Sequence, residues 1–138
     1  MFRAILLPQN RKRTIIFFAL FLVLMIAAGI IGLNDNPPGI FLAYFSAASF
    51  VLIFVHYWKS PIQFLKLMGY SAVLFVLTVL IHNFGEVLAV SVSEMWLLHG
   101  ILVAIHVSAF LIAVLLCPSA ILIGAIGAVI TSLKKSSR

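Results

Sequence analysis

Charge is the scarcest commodity in this chain. Of 138 residues, 9% are charged and only three are acidic, against nine Lys and Arg and a 64% hydrophobic share. An ordinary soluble domain is about half apolar and about a quarter charged. A soluble fold of this length still exposes about a third of its chain surface and has nowhere to hide so much apolar side chain. The scarcity of charge therefore excludes a soluble enzyme and a disordered tail. There is one cysteine, Cys117, so neither an internal disulfide nor a cysteine-based metal cluster can form within the chain. There is no glycine-rich phosphate loop and no HExxH pair. No Asp, Glu, Lys or Arg lies in the middle of an apolar run, so no Ser/His/Asp nucleophile and no self-contained proton path is expected.

What is present is a series of apolar runs. A bilayer core is ~30 Å thick and takes ~20 helical residues to cross. The chain accordingly reads as one transmembrane domain, an all-α integral membrane protein with four transmembrane helices in two hairpins. The expected helices are residues 14–33, 39–58, 62–81 and 96–117. The first run follows Arg3, Arg11, Lys12 and Arg13 as a signal peptide would, with Ala27 and Gly29 small enough for cleavage. It is longer than the 7–15 residues of a signal core, so it is read as a first membrane helix. Asn34-Asp35-Asn36-Pro37-Pro38-Gly39 is a tight turn, because the prolines cannot continue the preceding helix. His56-Tyr57-Trp58-Lys59 suits a headgroup boundary, and Ser60-Pro61 is the next break. Gln63 and the snorkelling Lys66 open the third segment, and His82-Asn83-Phe84-Gly85-Glu86 is expected to close it.

The last segment is too long. A helix over 96–133 would measure ~57 Å, so a break at Pro118 is expected. Residues 119–133 then form either a Pro-broken apolar segment at the far interface or a continuation of the helix. An alternative slides the span to 107–130 and lays 87–106 along the first interface. A fifth span is disfavoured by charge. With four spans, Arg3, Arg11, Lys12, Arg13, Lys59, Lys66, Lys134, Lys135 and Arg138 all fall on one side, and Asp35, Glu86 and Glu94 on the other. The positive-inside rule then puts both termini in the cytoplasm, N-in and C-in, and the expected location is a prokaryotic cytoplasmic (inner) membrane. Basic residues beside apolar runs favour anionic lipid headgroups as partners, not nucleic acid.

Helices in lipid associate through small residues. Ala28 and Gly32, Ala43 and Ala47, Ala109 and Ala113, and the ladder Ala120, Gly124, Ala128 are the expected contact faces, within the chain or with other subunits or a second copy. The four histidines are the main candidates for chemistry. His99 and His106 are seven residues apart and share a helix face that Ala113 continues. With His82 from the facing helix they are candidate ligands of a b-type haem, or of a quinone. An interfacial or hydrogen-bonding role for them is the simpler alternative. Glu86 and Glu94 beside His82 and His99 are a weaker carboxylate–imidazole metal candidate, and no metal site is expected. The leading functional expectation is a small subunit or accessory component of a larger membrane complex. A haem- or quinone-binding redox anchor and a homo-oligomeric transporter or channel are the alternatives. Enzymatic activity is not expected.

Overall fold

The computed structural model describes residues 7–33 and 36–136. Arg3, Asn34, Asp35 and Arg138 lie outside the described residues, as does the side chain of Lys135. The described residues are helical throughout, with short turns and no strand.

Helix α1 is Pro8–Ile31. A proline in the first turn loses nothing, since its missing N–H would have no partner there. The helix ends at Gly32, whose φ of +89° is open to glycine at little steric cost. Its N–H donates to the Ala28 carbonyl. Asn36 Nδ2 donates to the Ile31 carbonyl at 2.9 Å, which ties the two sides of the turn. Helix α2, Pro37–Val55, again starts on prolines. Gly39 is required because a Cβ there would collide with the Gly32 carbonyl.

Helix α3 is Pro61–Ser91. It does not stop near Ile81 as expected. His82-Asn83-Phe84-Gly85-Glu86 contains no proline, and Gly85 is buried against the next helix and does not turn the chain. The loss of helix propensity at one glycine, ~1 kcal/mol, is offset by close packing. The turn instead falls at 92–95, closed by Val92 N–H to Leu88 O and Met95 N–H to Val92 O.

Helix α4 is Trp96–Leu111. The expected break at Pro118 is absent. A π-helical turn, Ile112–Leu116, connects α4 directly to α5, Cys117–Ser136. Proline gives no N–H and its ring crowds the carbonyl four residues back. The wider turn, in which Cys117 N–H reaches back to Ile112 O, accommodates Pro118 without ending the helix. Residues 119–133 are thus a continuation of the helix. Residues 87–91 and 96–106 belong to two antiparallel helices, not to one segment.

Four stretches are long and apolar enough to cross a membrane: α1, α2, α3 and the continuous run Trp96–Lys134. By length and composition the helices are consistent with a helical membrane protein. α1 packs on α2, and α3 packs on both α4 and α5; α2 joins the two hairpins through α5. The buried positions are mostly small. On α3, Phe64, Ser71, Thr78 and Gly85 recur every seven residues along one buried stripe. α5 answers with Ala120, Gly124 and Ala128, all buried. A Cβ at Gly124 would lie 2.9 Å from the Phe64 carbonyl oxygen and 3.0 Å from the Met68 nitrogen, so the two backbones nearly touch. Ala28, Ala43, Ala109 and Ala113 are buried as well, with Gly32 and Ala47 half-buried. The small-residue faces therefore serve contacts within the chain. The buried hydroxyls of Ser46, Ser49, Thr78 and Ser119 donate to backbone carbonyls. Ser46 Oγ donates across to Phe21 O on α1 at 3.0 Å, and Ser119 Oγ donates to Leu115 O at 2.7 Å with Tyr44 O at 3.4 Å.

Candidate functional site

The extension of α3 decides which histidines meet. Residues at equal distances from the 92–95 turn face one another, so His82 lies opposite His106, and Ala89 opposite His99. His82 Nδ1 is 3.1 Å from the His106 carbonyl. A carbonyl only accepts, so this nitrogen carries the proton and donates. His106 Nδ1 lies 3.4 Å from His82 Nδ1 and is the acceptor side of that approach. The two rings are 5.4 Å apart, and the Phe110 ring lies 5.0 Å from that of His82. On the same face of α3, Glu86 Oε2 is 3.9 Å from His82 Nε2. That contact becomes an ion pair only when the imidazole is protonated. With Glu86 exposed to solvent, it adds little to stability.

His99 belongs elsewhere. Its Nδ1 donates to the Ala89 carbonyl at 2.9 Å, clamping α4 to the end of α3 just before the turn. Glu94 sits exposed in the turn itself. Among the described residues no group of three or more His, Cys, Asp and Glu side chains converges as a metal site.

The structure thus brings His82 and His106 together and leaves His99 apart. The helices that carry the pair are in contact. Gly85 sits so close that a Cβ there would be 2.8 Å from the His106 Cβ. As packed, the cluster can clamp two helices through an imidazole–carbonyl bond.

The opposite end of the bundle holds a feature that the sequence reading passed over. The start of α1, the end of α2, the start of α3 and the end of α5 surround one cleft, whose lining includes Arg13, His56, Trp58, Phe64 and Thr131. The basic flanks on these four helix ends therefore lie at one end of the molecule. His56, Trp58 and Lys59 carried the signal in sequence, read there only as a headgroup boundary. Compared with protein-family models, with curated proteins and with solved structures, the chain matches none.

Proposed function

We propose that the chain is a small helical subunit or accessory component of a larger membrane complex, seated in the cytoplasmic membrane of a prokaryote with both termini in the cytoplasm. The observation that carries this reading is the mismatch between the two hairpins. α2 has 19 residues and measures about 28 Å, close to one bilayer core. α3 has 31 residues and measures about 46 Å. Fitting all of α3 into a ~30 Å core would take a tilt of about 50°, outside the usual range of roughly 0–40°.

The far ends of α3 and α4 therefore project past α2 as a two-helix tip. That tip exposes large apolar side chains beside Glu86 and Glu94. Val87, Val90, Trp96, Leu97 and Ile101 are all exposed, Trp96 to 82%. Apolar side chains exposed past the lipid core mark a protein contact, and a partner subunit would cover them. Native purification in mild detergent followed by mass spectrometry tests the reading. The expected result is a defined assembly containing other membrane proteins. A stable monomer that recovers no partner would sink it.

A further inference from the structure

The cleft at the basic end encloses about 620 Å³, within the ~300–1,000 Å³ that a single bound ligand occupies. Its walls are apolar: Phe17, Trp58, Phe64, Ile123 and Ile126. Its polar groups are Arg13, His56 and Thr131, and no acidic residue lines it. The acids Glu86 and Glu94 lie at the far tip. Such a lining, apolar in depth with one guanidinium at the edge, is complementary to an anion on a hydrocarbon chain.

His56 adds a second demand. Its Nδ1 lies 3.0 Å from Leu52 O and 3.2 Å from Ile53 O. Both are acceptors, so Nδ1 holds the proton and Nε2 presents a lone pair. That Nε2 is buried without a hydrogen-bond partner, a condition unique to it among the side chains of the described residues. Buried polar atoms are ordinarily satisfied. The Phe17 ring, 5.7 Å from that of His56, stands beside it in the same cleft.

We propose that this cleft binds an anionic phospholipid that carries a headgroup hydroxyl, with phosphatidylglycerol as the matching chemistry. The phosphate pairs with Arg13, an acyl chain lies along Phe64, Ile123 and Ile126, and a glycerol hydroxyl donates to His56 Nε2 after a small displacement of Phe17. The flanking Tyr57, Trp58 and Lys59 set the cleft at headgroup depth.

Trp58 lines the cleft and reports its occupancy directly. Trp96, at the opposite tip, is replaced by Phe so that Trp58 is the sole tryptophan. The full-length W96F protein is reconstituted in phosphatidylcholine vesicles doped with one of three acyl-brominated lipids: phosphatidylglycerol, phosphatidylmethanol (same charge, no hydroxyl) or phosphatidylcholine. Half-quenching of Trp58 is expected at a several-fold lower fraction of phosphatidylglycerol than of phosphatidylcholine, with phosphatidylmethanol between them. Arg13→Gln abolishes the preference and Arg13→Lys retains part of it. Arg13 is exposed, so both variants fold. Equal quenching by phosphatidylglycerol and phosphatidylcholine overturns the proposal, as does a preference that survives Arg13→Gln. Equal quenching by phosphatidylglycerol and phosphatidylmethanol overturns the recognition of the hydroxyl.

Discussion

The two ends of this molecule solve the same problem, holding apolar helices together, under opposite conditions. At the basic end four helix termini converge around Phe64, with Val51, Val55, Ala120 and Ala128 forming the buried core. At the tip only α3 and α4 remain, and their contact rests on Gly85, Ala89 and three histidines. At the basic end the backbones approach through Gly124 with no polar group between them. The tip brings its helices together through one glycine and then adds imidazole–carbonyl bonds. With two helices there is too little apolar surface to bury, so directional bonds from His82 and His99 substitute for it.

The largest effect that tests this contrast is overpacking at the basic end. Gly124→Leu drives a side chain into the Phe64 carbonyl and the Met68 nitrogen, which are backbone atoms that cannot rotate away. Overpacking a close contact costs about 1–3 kcal/mol, sometimes more, and here the upper end is expected, as a lowered Tm in detergent. Gly85→Leu meets the His106 side chain, in a pair with open surface on both flanks. Its loss is expected to be smaller and confined to the tip. Hydrogen exchange resolved along the chain distinguishes the two. An equal global loss for both variants would mean that the tip is as deeply coupled as the basic end.

A different effect is expected on the outer surface of the tip. Val90→Glu combined with Trp96→Glu alters two exposed side chains, so the isolated protein keeps its Tm. Co-purified partner is expected to fall at least tenfold, equivalent to about 1.4 kcal/mol of binding. The same substitution on the exposed Ile15 and Ile16 of α1 disturbs contact with lipid, not with a partner. A partner yield insensitive to the tip variant would show that the tip is not the docking surface.

The histidines give an intermediate effect. His82→Phe keeps an aromatic ring against Phe110 and removes the donor to His106 O, a loss of about 0.5–1.5 kcal/mol. Because α3 and α4 touch at Gly85, purification with haem supplied is expected to yield no Soret band. A Soret band that disappears in His82→Phe would require the helices to part and would overturn the clamp.

Much of the fold is legible in the residues, and its errors have one cause. The prolines at 37, 38 and 61 mark helix starts because a first turn takes proline without losing a hydrogen bond. The small-residue ladders mark the packed faces because nothing larger fits there. Gly85 and Pro118 mislead because each has two physical uses. A glycine can turn a chain or let two helices touch, and only the facing residue, His106, decides. A proline can end a helix or sit behind a π turn, and the apolar sequence Ile112–Leu116 carries no mark of that turn. Extending α3 to Ser91 moved the turn, so that of the two histidines across from α3 it is His106, not His99, that meets His82. The pairing was a matter of register, which face periodicity on a single helix does not contain.

The smallest effect concerns hydrogen bonds, and it returns to the contrast between the two ends. Ser46 Oγ joins α2 to Phe21 O on α1, in a region where packing already holds the helices. Interhelical bonds of this kind in membranes average about 0.6 kcal/mol, because the separated helices find other partners. Ser46→Ala is therefore expected to lower stability by about that amount, below the His82→Phe loss although its 3.0 Å bond is as short. The ranking follows from context. Removing the Ser46 hydroxyl leaves a helix carbonyl that retains its own backbone donor, between helices that Phe21 and Phe50 still pack together. Removing the His82 donor leaves the His106 carbonyl without its cross-helix partner where only two helices pack together. Chemical denaturation of the two variants side by side measures the difference. Equal losses would mean that the number of helices around a bond has no bearing on its worth in this protein.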